Sequence, residues 1–360
     1  MEQALFNRLK DRNDRMIAAL IKKASIVCPG SLALIGIAGS FHSGHIHERS
    51  DLDLCIVIND EDGWKIASCF ILDEVGHDLY CTPWTKLESM SEYVDPHVAN
   101  LLELDIVYCA GDAHLERYLA LRKKVQDRLD SPFSTEDAKN VQSHLDNAMR
   151  AYASTMLSDN VTEAKYVSAK MLVALESVLY LANKTYIKRG IRRIPAEIKE
   201  MRTLPENFLQ YYHALIAART VEEIKSCATR LMNTSRAFVL ELISLVKAKK
   251  EITPESIAGT YEEIVSNWRN KMYLAAHTHD AYLALMTMKS CQEFYDKFAT
   301  EYNVDRICLF HGLQIEDLCQ SAERFDTAMA YYRSLYTQVG APVRSYPSIE
   351  AFEKAYLECE

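Results

Sequence analysis

Apolar and polar positions divide this chain into a mixed first third and a helical remainder. Residues 2–26 set Leu5, Leu9, Met16 and Leu20 at helical spacing, which predicts an opening amphipathic helix. Ser31–Ala38 is a continuous apolar run between Pro29-Gly30 and Gly39, the pattern of a buried strand, and Leu52–Ile58 is a second. The spacing predicts a helix over Gly63–Val75, a short third strand at His77–Cys81 beside the second, and a fourth at Leu101–Ala110. Alternating strand and helix implies an α/β layer with its sheet covered on one side. Beyond residue 113 nearly everything repeats with a helical period. Helices are predicted at 114–128, 135–157, 162–187, 206–218, 221–248, 255–272, 275–299 and 321–338, with Pro132, Pro195, Pro205 and Pro254 between them or at their starts. Seven of the eleven glycines precede residue 112, which sharpens the same boundary. The expected fold class is α+β, with a small mixed sheet followed by an all-helical region. The expected divisions are 1–130, 131–250 and 251–360.

Composition narrows the setting. Charged residues are 25% of the chain, an ordinary globular value that excludes a disordered or fibrous class. The ten cysteines include no CxxC pair and several lie in apolar runs, so they read as reduced, buried thiols. The N-terminus lacks a signal-type apolar core, and no apolar stretch is long enough to span a membrane, so a cytoplasmic protein is expected. The net charge of −9 lies entirely in residues 1–112, where 18 acidic face 9 basic side chains; the rest of the chain carries 32 of each. A helical region with no basic surplus argues against a nucleic-acid partner.

The chemistry concentrates at residues 35–57. A strand leads to Gly39-Ser40, a ten-residue connection follows, and Ser50-Asp51-Leu52-Asp53-Leu54 opens the next strand. Side chains two apart on a strand share a face, so Asp51 and Asp53 are parallel carboxylates while Leu52 and Leu54 turn to the core. Two such carboxylates stay ionised cheaply only around a cation, and hard oxygen donors suit Mg²⁺. Glycine at a strand end lets a phosphate approach the backbone, and Ser40 can donate to its oxygens. Asp78 is the natural third carboxylate. Asp73 and Glu74 read as solvated residues at a helix end.

The spacing of Gly39-Ser40 and Ser50-Asp51-Leu52-Asp53-Leu54 resembles the signature of the DNA polymerase β-like nucleotidyltransferase superfamily, whose smaller members include the minimal nucleotidyltransferases and the antibiotic adenylyltransferases. Gly44 fits the same pattern, Asp78 fits its third acidic strand, and the likeness covers about the first 112 residues. Leu181–Lys188 is similar, more weakly, to the end of the first long helix in the helical domains of the antibiotic-modifying branch. His42 departs from the pattern, standing where the family has a small residue. The resemblance implies two-metal nucleotidyl transfer: Asp51 and Asp53 hold Mg²⁺, Asp78 binds the second metal and helps activate an acceptor hydroxyl, and Gly39, Ser40, Gly44 and Ser50 surround the triphosphate of ATP or another NTP. It further implies a small-molecule hydroxyl acceptor, aminoglycoside-like by analogy with that branch, which the acidic N-terminal third would suit.

Each candidate has a plainer reading. Asp51 and Asp53 could be a solvated strand edge, and Ser40 a helix cap. His42, His45 and His47, without a fourth ligand, read as surface or packing residues. Glu176, in an otherwise apolar helix, is read as facing solvent and kept as a candidate general base. Lys165, Lys170, Lys184 and Lys188 are helical cations, with Lys170 the nucleotide-binding candidate. The alternative to an enzyme is a non-catalytic nucleotide-binding or antitoxin-type module of the same fold.

Overall fold

Continuous apolarity in Leu32–Ile37 (β1) and Leu54–Ile58 (β2) reflects burial on both faces, as expected of strands sandwiched between layers. The computed structural model describes residues 2–42, 44, 46–188, 190–246 and 248–358. The opening helix α1 (Glu2–Val27) packs Ile17, Leu20 and Ala24 with Leu32, Ile35, Ile56 and Ile58. Ala33, Leu34, Cys55 and Val57 instead join the core of the helices that follow. The sheet is therefore covered on two sides rather than the expected one.

After β1 come a single turn α2 (Gly39–His42), β2, β3 (Ser68–Leu72), β4 (Val75–Leu79), β5 (Cys81–Pro83), α3 (Trp84–Ser91), α4 (Ala99–Leu102) and β6 (Asp105–Cys109). The main sheet has the order β5-β2-β1-β6, with β1 antiparallel to β2 and β6, and β5 parallel to β2. β3 and β4 form a separate antiparallel hairpin.

That hairpin corrects two expectations. No helix fills 63–75: a 3₁₀ turn at Glu61–Ile66 gives way to β3. Asp73 and Glu74 both take positive φ, 50° and 62°, so they are the two central residues of a tight hairpin turn rather than a helix end. The strand carrying Asp78 then pairs with β3, opposite Cys69, while the partner of β2 is the short β5.

Helices α5 (Asp112–Asp130), α6 (Thr135–Leu157), α7 (Val161–Ala182), α8 (Ile194–Lys199), α9 (Phe208–Ala217) and α10 (Val221–Val246) complete the first of two compact units, residues 1–247. Their apolar faces share one core with the sheet. A Ser134–Asp137 capping box starts α6, and Asn160 caps α7. α7 stops at Ala182, short of the expected 187. Asn183 ties the chain to Thr203, and residues 183–188 run on as a strap fixed to the sheet domain through Tyr93 Oη donating to the Thr185 carbonyl (2.6 Å) and the Ile187 amide to the Pro96 carbonyl (3.2 Å).

The second unit, residues 248–360, contains α11 (Pro254–Ile257), α12 (Thr260–Ile264), α13 (Asn270–Thr278), α14 (Ala281–Glu301), α15 (Leu318–Val339) and α16 (Ile349–Leu357). Left-handed Gly259 separates α11 from α12, a π-turn at Val265–Arg269 carries α12 on into α13, and left-handed His279 separates α13 from α14, so both helices expected across 255–299 are interrupted. Tyr332 and Tyr336 lie in its core, so these two tail tyrosines are packing residues. Among the described residues, no helix is long and apolar enough to cross a membrane. Cys28, Cys55, Cys81 and Cys291 are buried as expected, while Cys69, Cys308 and Cys319 are exposed.

Candidate functional site

β1 ends on a turn built against Asp53. The Ala38 amide donates to the Asp53 carbonyl (2.9 Å), which extends the β1–β2 ladder to the carboxylate-bearing residue. Gly39 follows with φ +64°, and a Cβ added there would stand 1.7 Å from Asp53 Oδ2. The Ser40 backbone amide donates to Asp53. Gly39-Ser40 thus cradles a carboxylate of its own chain.

Desolvation, and then the charge of Asp51, push the Asp53 carboxyl above its ordinary range; the Ser40 amide opposes both. Asp51 stands near enough for its charge to act on Asp53, Arg12 and His77. A carboxylate raised by burial and by a neighbouring carboxylate's charge is chemically suited to a hard divalent ion, which would relieve that repulsion. Among the described residues, no group of three or more His, Cys, Asp or Glu side chains is placed to hold a metal ion, so an ion bound at Asp51 and Asp53 would have to complete its shell with water or substrate oxygen.

The third carboxylate expected from the sequence is not beside that pair. Asp78 points outward from the hairpin and accepts from the Cys69 thiol (3.2 Å). β4 alternates Val75, His77 and Leu79 inward with Gly76 and Asp78 outward, so the residue turned to the interior near Asp51 is His77. It is 3% exposed, and neither ring nitrogen has a hydrogen-bond partner among the described residues. Burial, and then the Arg12 charge, hold its pKa below the ordinary value.

Gly39 and Asp53 open into a cavity of about 650 Å³, also lined by His42, Asn100, Glu103 and Lys188. His42 is neither a surface nor a simple packing residue. Its Nε2 lies 3.0 Å from Glu103 Oε2 and its Nδ1 3.0 Å from Asp105 Oδ2. Tyr186, from the strap, donates to the other Glu103 oxygen. Partial burial disfavours imidazolium, but the hydrogen bonds and charges of Glu103 and Asp105 outweigh it, and the His42 pKa is raised. Glu103 is shifted the other way: burial works against ionisation, but Tyr186, His42 and Lys188 hold its pKa low.

A pH test follows from the sign. A raised folded-state pKa means that the His42 contribution is fully present below its ordinary value of 6.5 and is lost as pH rises through the folded value. His97, raised by Asp95, behaves similarly, so the informative quantity is the difference between the protein and His42→Gln. The Tm gap between them is expected to narrow as pH increases from about 6 to 8. A gap independent of pH would show that His42 is not charged in this clasp.

The other candidates scatter. Glu176 is not on an exposed stripe: it is 8% exposed, accepts from Tyr212 Oη (2.6 Å), and burial raises its pKa. It does not line the cavity, though its charge acts on His97, which does. Lys170 stays on the exposed face of α7, with Nζ 4.4 Å from the Tyr166 ring centre. Lys165 caps the carbonyl end of α9, and Lys184 pairs with Asp137 (3.0 Å). The cavity's lysine is Lys188, delivered by the strap. Ser50 is buried; its hydroxyl accepts from the His47 amide (2.9 Å) and its carbonyl from Arg12 (2.8 Å), so it shapes the loop before Asp51. Gly44 is an exposed turn residue with φ +73°, His47 accepts from the Arg49 amide, and His45 lies outside the described residues. The sequence reading missed Glu103 and Asp105. Their signal is an acid–Leu–acid step at the start of an apolar strand, the same step that singles out Asp51 and Asp53.

No protein-family model matches this chain, and no curated protein does. Among solved structures it is similar to a nucleotidyltransferase-like protein from Exiguobacterium sibiricum 255-15, at 11% identity, over 64% of this chain and 75% of that one, with a TM-score of 0.35. A similarity of that degree leaves the site's own geometry to carry the functional reading.

Proposed function

We propose that this protein is a Mg²⁺-dependent nucleotidyltransferase that moves a nucleoside monophosphate, AMP from ATP in the simplest case, to a hydroxyl of a small molecule. The observation that carries this reading is the Asp53 carboxylate seated on the Gly39-Ser40 turn, with Asp51 two residues away, in the wall of a roomy cavity. Asp51 and Asp53 would hold Mg²⁺, which when bound supplies charge neutralisation and polarises the phosphate under attack. The chain's own groups do the rest. Lys188 presents a cation to the triphosphate. Glu103, engaged on both oxygens and held ionised, orients the far wall rather than taking a proton. The acidic N-terminal third favours a cationic acceptor such as an aminoglycoside, and a cytoplasmic setting suits free thiols and ATP.

A second reading has an observation of its own. With Asp78 on the outer face of the hairpin, two carboxylates rather than three serve the site, which favours a nucleotide-binding or antitoxin-type module without turnover. Incubation with labelled NTPs and Mg²⁺, with and without candidate hydroxyl acceptors or cell extract, separates the two. The enzyme releases pyrophosphate in step with acceptor modification. Saturable nucleotide binding without release against any acceptor would establish the second.

A further inference from the structure

A recess of about 740 Å³ lies where α1 meets the turn of the β3–β4 hairpin, and four arginines line it: Arg8, Arg12, Arg15 and Arg49. The first three follow one face of α1 at i, i+4 and i+7, and Arg49 comes from the loop leading to Asp51. In a region where acids outnumber bases two to one, this clustering of guanidinium groups is unusual. Arg12 is anchored, donating to the Ser50 carbonyl (2.8 Å) and to Asn13 Oδ1 (3.1 and 3.2 Å). The side chains of Arg8, Arg15 and Arg49 make no hydrogen bond or ion pair with any described residue. Asp11, Glu48 and Asp73 also line the recess, and the charges of Asp73 and of nearby Asp51 act on Arg12.

A buried histidine lies next along the strand that borders the recess. Val75 lines the recess, and His77 is the next inward residue of the same strand, buried with both ring nitrogens unpartnered and stacked on Phe70 at 5.4 Å. Arg12 and Asp51 are the charges that act on it. His77 does not itself line the recess, so its ring would report on an occupant through Val75 and Arg12 rather than by touching it. Guanidinium forks match phosphate oxygens, and Leu9, Met16 and Val75 give the recess apolar wall as well.

We propose that this recess binds a phosphate monoester, with Arg8, Arg12, Arg15 and Arg49 taking the phosphate and the apolar wall taking its organic body. It is separate from the cavity at Gly39 and does not depend on nucleotidyl transfer.

The test titrates the full-length protein with phenyl phosphate and with inorganic phosphate, in EDTA and without nucleotide, by calorimetry, while the His77 ring resonances are followed by NMR. Phenyl phosphate is expected to saturate and to bind more tightly than inorganic phosphate, and its binding should move the His77 resonances. Arg8→Gln together with Arg15→Gln should weaken it by at least roughly tenfold. Equal affinity for the two probes would reduce the proposal to a free-phosphate site and overturn its ester specificity. Unchanged affinity in the double variant, or no saturable binding, would overturn the site itself.

Discussion

Asp53→Asn is expected to reduce pyrophosphate release from Mg–ATP by roughly a thousandfold or more while leaving Tm unchanged or slightly raised. The two halves of this result have one cause. Desolvation and the Asp51 charge lift the Asp53 pKa, so its ionised form is destabilising in the folded protein. A carboxyl raised above its unfolded value contributes stability at low pH and loses it as pH rises, so at neutral pH the charge is a liability. Asparagine keeps an oxygen to accept from the Ser40 amide and removes the repulsion. It also removes a hard anionic ligand that an amide does not replace. Asp51→Asn should behave alike, since it removes the neighbouring charge that raises Asp53. Persistent Mg²⁺-dependent transfer in both variants would end the assignment. A large fall in Tm with the loss of activity would recast Asp53 as a structural residue.

Gly39→Ala should be nearly as damaging, for a different reason. A left-handed alanine costs on the order of 1–2 kcal/mol. The larger effect is steric: with a Cβ at 1.7 Å from Asp53 Oδ2, either the carboxylate leaves its cradle or the β1 end shifts. Nucleotide affinity is expected to fall by about a hundredfold, with a Tm loss of several degrees. Gly44→Ala is the matched control, because Gly44 has φ +73° and nothing within 4 Å of an added Cβ. It should show the conformational penalty alone and retain nucleotide binding. Equal behaviour of the two variants, measured by thermal unfolding and nucleotide titration, would show that the Asp53 contact is unimportant.

These two residues were legible from the sequence because their chemistry is local. Glycine at a strand end and two acids at i and i+2 specify a turn and a carboxylate pair over fifteen residues, and β1 and β2 are closed by their own apolar runs. The helices from α5 to α10 are legible for the same reason, since an amphipathic period and a cap such as Ser134 or Asn160 lie within a few residues of each other. The hairpin was not. Apolar positions at Ile66, Ala67, Phe70 and Ile71 fit a helix as well as a strand, and the turn at Asp73-Glu74 lacks the Asn-Gly or Asp-Gly pair that marks such turns.

The sequence by itself therefore determined the carboxylate pair, its glycine turn, and the order of sheet and helices. Only the tertiary structure decided what faces the pair. On β4 the side chains alternate, so a shift of one residue exchanges the interior His77 for the exterior Asp78, and the register is set by packing against the rest of the domain. Lys188 reaches the cavity because α7 ends five residues before the expected position, and the His42 pKa is raised because the fold brings Glu103 and Asp105 beside it from about sixty residues away. Those placements depend on long-range contacts that local spacing does not encode.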